Sequence, residues 1–157
     1  MAKFFETSED IASLAQAKFE ETSLPQMGIE LKIISTTKSK NILKASKASA
    51  TVQYLTKRDA LLVIYEEAFD RRSDDMKEKL MEGALSNISY DDEKDKVNVE
   101  GDIAKEIFRM RKKYDNYVDM LEASYLAVEQ IEEEEKQKKE EEKARKSEMR
   151  KNKQNNG

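Results

Sequence analysis

The chain has 157 residues, 39% of them charged and 38% apolar, and a formal charge of −4. That length predicts one domain with a compact core under a very polar surface. The mild negative charge suggests neither a polyanion mimic nor a generally basic nucleic-acid binder. The absence of cysteine and histidine excludes disulfides, thiolate metal sites and His- or Cys-based triads.

Thr7, Ser8, Glu9 and Asp10 suit a helix N-cap with an acidic first turn. Ile11, Leu14, Ala15 and Phe19 follow at helical spacing and predict a helix ending before Pro25. Ile29, Leu31 and Ile33 alternate with Glu30 and Lys32, which predicts a strand over residues 29–33. Between residues 31 and 58 the chain carries Lys32, Lys38, Lys40, Lys44, Lys47, Lys57 and Arg58 and no acidic residue. This basic stretch reads either as a solvated mobile loop or as a phosphate-contacting segment. Residues 50–55 and 60–65 predict two further strands, and residues 66–72 a connection or short helical turn.

Ser73, Asp74 and Asp75 predict a second capped helix. Met76, Leu80, Met81, Ala84, Leu85 and Ile88 form its apolar stripe. Val97 and Val99 suggest a short strand or extended arm. From Gly101 and Asp102, the residues Ile103, Ile107, Met110, Tyr114, Tyr117 and Leu121 step by fours and threes. Tyr125, Val128 and Ile131 continue that face, so one long amphipathic helix is expected, packed on the domain or on a partner helix. Beyond Ile131 the apolar spacing stops and charged residues dominate, with i,i+4 pairs of opposite sign adding roughly 0.2–0.5 kcal/mol each. The expected organisation is an α+β domain over residues 1–131 and a charged helical tail over residues 132–157 that frays toward its end. The domain would hold a small three-stranded sheet, packed helices and the long C-terminal helix. The few glycines and the single Pro25 argue against an all-β fold.

Several segments carry a family resemblance. Phe4-Phe5-Glu6 leads into Ile11-Ala12-Ser13-Leu14-Ala15, and Ile29-Glu30-Leu31-Lys32-Ile33 precedes a Lys-rich stretch of small residues. Tyr54-Leu55-Thr56-Lys57-Arg58-Asp59-Ala60-Leu61-Leu62-Val63-Ile64, residues 76–90 and Val128-Glu129-Gln130-Ile131-Glu132-Glu133 follow in order. Together they resemble the phage and prophage metallopeptidase family, with its SprT-like zincin core. The resemblance implies a zincin-like fold and a zinc site. Its H-E-x-x-H helix would hold the metal with two histidines one turn apart and activate water with the glutamate. The positions that match are Gly83, Ala84 and Asn87. Gly83 and Asn87 are not zinc ligands of useful affinity, and Ala84 is not a base. The resemblance therefore implies a scaffold without that catalytic site, and no cofactor or metal is expected.

Other constellations have plainer readings. Asp91-Asp92-Glu93-Lys94-Asp95 clusters carboxylates without EF-hand spacing and reads as a solvated loop. Glu66 and Glu67 read as surface charge, because adjacent strand residues point to opposite faces. Lys38, Lys40, Lys44 and Lys47 are the candidate contacts for nucleic acid, and Tyr114, Tyr117 and Leu121 for a protein partner. No apolar run approaches the roughly 20 residues that span a bilayer, and Met1-Ala2-Lys3-Phe4-Phe5-Glu6 has no signal-peptide character. No membrane partner and a cytoplasmic location, a host's if phage-encoded, are expected. The leading functional expectation is a non-catalytic protein that binds a protein or nucleic acid. The alternatives are a metallopeptidase with an atypical carboxylate site and an assembly protein that oligomerises through its long helix.

Overall fold

A computed structural model describes residues 2–47 and 59–155. The short strand β1 (Phe4–Phe5) precedes helix α1 (Glu9–Glu20). Ser8 occupies the N-cap, and its backbone N–H donates to the Glu66 carboxylate at 2.7 Å. A 3-10 turn (Pro25–Met27) ends on Gly28, whose φ of 77° is the left-handed conformation that glycine adopts without strain. Strand β2 (Glu30–Thr36) follows, then β3 (Leu43–Lys47) and β4 (Asp59–Tyr65).

These strands form one sheet in the order β1-β2-β4-β3. β2 and β4 are parallel, and the outer pairings are antiparallel. Among the described residues the sheet has four strands, where three were expected. The expected strand over residues 50–55 lies outside the described residues. β3 lies within the stretch read as a basic loop. Leu43 and Ala45 face the core there, while Lys44 between them is exposed. Two lysines and an alanine in five residues hide the alternation from β-propensity.

Glu66 opens the short helix α2 (Glu66–Asp70), so Glu66 and Glu67 lie in a helical first turn and not on a strand. The Glu66 carboxylate also accepts the Ser35 hydroxyl at 2.7 Å, which ties β2 to the β4–α2 junction. Helix α3 (Asp74–Leu85) starts at Ser73, whose side chain accepts the Met76 N–H at 3.3 Å. The hairpin of β5 (Ile88–Asp91) and β6 (Lys96–Val99) follows. The acidic cluster forms its turn. Asp91 Oδ1 accepts the backbone N–H groups of Glu93 and Lys94, and the Tyr90 hydroxyl bonds Asp95. Helix α4 (Ile103–Arg111) is capped by Asp102, which accepts the Ala104 N–H at 3.0 Å.

The single long helix expected from residue 101 is divided. α4 stops at Arg111, and α5 (Tyr117–Asn155) begins after a turn. Asp115 and Asn116 occupy that turn, and the Asn116 carbonyl accepts the first helical bond from Met120. Asn and Asp favour such entries because they bond nearby backbone. The apolar spacing runs on through the turn, so periodicity alone does not reveal it. α5 then crosses the expected boundary at residue 131 without interruption and is helical to Asn155; the end at which fraying was expected lies outside the described residues.

α1 and α3 contact each other and the sheet, α1 on β2 and α3 on β3. Ile11, Ala15 and Phe19 meet Met81, Ala84 and Leu85 over Ala60, Leu62 and Ile64. Val128 and Ile131 of α5 complete this core. Arg71 closes the packed part of α5, with its two guanidinium nitrogens on the two Glu134 oxygens at 3.3 and 2.9 Å. Residues 135–155 are exposed throughout. No described helix is long and apolar enough to cross a membrane.

Candidate functional site

The three positions that the resemblance singles out lie on or just beyond α3, with Ala84 and Asn87 at the wall of a cleft. Gly83 is buried beneath the ring of Tyr117. A Cβ at residue 83 would lie 1.8 Å from the Tyr117 hydroxyl oxygen and 2.7 Å from the carbon bearing it. Glycine is needed here for close approach. The Tyr117 hydroxyl donates to Glu106 Oε2 at 2.7 Å, and Asn87 Nδ2 donates to Glu106 Oε1 at 2.6 Å. Arg109 donates to Asn87 Oδ1 and, at 3.4 Å, to the Ser86 hydroxyl. α4 and α5 thus close on α3 through one connected polar network. Glu106, only 7% exposed, sits at its centre. Burial first, and then the Glu106 carboxylate, push the Tyr117 phenol far above its ordinary pKa.

A catalytic zinc site takes three protein ligands, as in the two-His, one-carboxylate pattern. Gly83 supplies no donor, and Tyr117 fills the space that a ligand side chain there would need. Asn87 and Glu106 are committed to each other, and Ala84 has no base to offer. Among the described residues no group of three His, Cys, Asp or Glu side chains is placed to hold a metal ion. These residues do not fit the zinc that the resemblance implies, and no catalytic step follows from them.

A cleft of about 170 Å³ runs between Leu43, Lys44 and Ala45 of β3 and the opposing Ala84, Asn87 and Glu106. It adjoins a pocket of about 60 Å³ lined by Leu80, Tyr117 and Leu121. Ile103 and Tyr125 line both and are themselves exposed. Among the described residues β3 is the end strand of the sheet. The Tyr65 N–H donates to the Ile42 carbonyl at 2.8 Å, and the register pairs Leu43 with Ile64. In an antiparallel ladder hydrogen-bonded pairs alternate. Lys44 and Ser46 therefore bond β4, while the backbone groups of Leu43, Ala45 and Lys47 point away from it. Consecutive residues of β3 line the cleft, as an edge-on approach requires.

Lys38 and Lys40 are exposed between β2 and β3, and Lys44 and Lys47 are exposed on β3. Lys44 and Lys47 are an odd number apart and so project from opposite faces. The four lysines do not form one surface. The expected partner stripe turns inward. Tyr117 is fully buried, and Leu121 is half-buried beside the pocket. Tyr114 donates to Glu82 Oε2 at 2.7 Å, with Lys79 over its ring at 4.9 Å. Burial opposes the charge of Glu82, but the Lys113 ammonium and the Tyr114 hydroxyl outweigh it and hold the carboxyl below its usual range.

Sequence reasoning missed Glu106 and Arg109. Glu106 lies three residues after Ile103 and four before Met110, on the apolar face of α4. A carboxylate in that position needs partners, and that was the available signal. The elements define a mixed α+β protein with a small sheet, several helices and a long C-terminal helix. No protein-family model, curated protein or solved structure matches the chain.

Proposed function

We propose that this protein is a non-catalytic binding module on a phage-type, metallopeptidase-like scaffold. It holds a short extended segment of a protein partner in the cleft beside β3. The observation that carries this reading is the outward-pointing backbone of Leu43, Ala45 and Lys47 at a cleft rimmed by exposed Ile103 and Tyr125. An extended peptide added to such an edge gains main-chain hydrogen bonds, and alternate side chains find pockets. The side-by-side packing of α1 and α3 on the sheet supports the scaffold assignment. Tyr117 over Gly83 supports the loss of catalysis.

Selection of displayed random peptides on the immobilised protein tests the reading. Enriched peptides should alternate apolar and polar residues. They should lose binding to Ala45→Pro, which removes an outward N–H without touching the ladder to β4, and to Ala84→Arg, which fills the cleft. Failure to enrich, or binding indifferent to both changes, would refute it. Stoichiometric zinc with peptidase activity lost in Glu82→Ala would favour the enzyme instead.

A further inference from the structure

The outer part of α5 carries a charge pattern unrelated to the cleft. Lys136, Lys139, Lys143, Lys146, Arg150 and Lys153 follow one another at alternating steps of three and four. At 100° per residue they fall within an arc of about 100° on one face, over a rise of about 25 Å. No acidic residue enters that arc between Lys136 and Lys153. Glu134, Glu141 and Glu148 lie on the opposite side, and Glu140 and Glu142 flank the arc. The helix is continuous here, and every residue from 135 to 155 is exposed. Lys146 pairs with Glu142 at 3.2 Å, while the other members of the stripe form no ion pair among the described residues.

The geometry points to duplex DNA as the ligand of this face. A stripe this long runs beside about seven phosphates of each strand. A helix about 10–12 Å across enters a major groove about 12 Å wide, where phosphates flank it on both sides. Competing occupants fit less well. The opposite face is charged rather than apolar, so the helix has nothing to insert into a bilayer interface. Past Ile131 no apolar seam exists for a second helix. The narrow, deep major groove of duplex RNA does not admit a helix. The net negative charge of the whole chain does not oppose this, because the domain lies beyond the screening length from most of the stripe.

Fluorescence anisotropy of the full chain with a labelled 20-base-pair DNA duplex tests the assignment. The chain should bind at 50 mM salt, with log affinity falling against log salt at a slope of about −5 if all six cations contact phosphate. Lys143→Glu, Lys146→Glu and Arg150→Glu combined should weaken binding by about thirty-fold or more and roughly halve that slope. Lys138→Glu, Arg145→Glu and Lys151→Glu make the same charge change off the stripe and should cost at least ten-fold less. Circular dichroism confirms that both variants keep the helix, and the glutamine triple at residues 143, 146 and 150 substitutes if the glutamate version does not. The assignment is overturned by absent binding at 50 mM salt or by equal losses in the two variants. Tighter binding to duplex RNA, or stripe-dependent binding to phosphatidylserine vesicles without DNA binding, also overturns it. Loss of the cleft's peptide binding would leave these results unchanged.

Discussion

Tyr117 lies over Gly83 so closely that no side chain fits between α3 and the start of α5. The same tyrosine donates to Glu106 on α4, so one residue joins three helices. Stability and site geometry therefore depend on the same contact.

Gly83→Ala sets two effects against each other. Alanine improves helix propensity by about 0.8–1 kcal/mol, but overpacking a fixed core neighbour costs about 1–3 kcal/mol. Tyr117 is held by Glu106 and does not yield easily. A net loss of up to about 2 kcal/mol in urea unfolding is expected, because the overpacking term exceeds the helix gain. In a Tyr117→Leu background the same substitution should become neutral or stabilising, which a double-mutant cycle reads directly.

Glu106→Ala removes the acceptor of both the Tyr117 hydroxyl and the Asn87 amide. Leaving buried donors unpaired costs about 1–3 kcal/mol. Glu106→Gln keeps one acceptor oxygen and should cost less. Equal urea midpoints for wild type and Glu106→Ala would show that the network does not hold α4 to α3.

The Tyr117 phenol ionises late. Its folded pKa is raised above the unfolded value near 10. Its contribution to stability is complete below about pH 10 and is lost as the pH rises further, since only the unfolded chain releases that proton easily. Absorbance titration at alkaline pH should show late-ionising tyrosines, since burial also raises the Tyr65 phenol. That late signal should shrink by one tyrosine in Tyr117→Phe.

Glu134 shows the opposite sign. Its hydrogen bond from Arg71 holds the carboxyl below its usual pKa. The tether is present above the unfolded value and is lost as pH falls through the folded one. Arg71→Ala should return the Glu134 titration, followed by NMR, to the ordinary range. Amide exchange should also quicken around residue 134.

Removing residues 136–155 should take away the helical signal of that segment and leave the urea midpoint unchanged. Those residues are exposed. A fall in the midpoint would mean that the tail contacts the domain.

Local signals placed several elements well. The caps at Ser73 and Asp102, the stripes of α1 and α3 and the apolar runs of β2 and β4 are each written within a few residues. Capping, helical period and β-branched content act over that distance. The charge stripe on α5 is equally local and follows from spacing alone once the helix is continuous.

Three features required the folded chain. β3 is a strand because β4 offers it a ladder, and its own lysines and alanine do not specify one. The turn between α4 and α5 is masked by an apolar spacing that both helices share. Tyr114, Tyr117 and Leu121, the candidate partner contacts, are half-buried, buried and half-buried in turn, because the turn redirects α5 onto α3. Composition and periodicity decided where most helical residues lie, which residues are apolar and that no histidine or cysteine site exists. Only tertiary packing decided that Gly83 receives a tyrosine and that Glu106 is buried with partners, because those contacts join residues 11 to 34 positions apart, which no local pattern encodes.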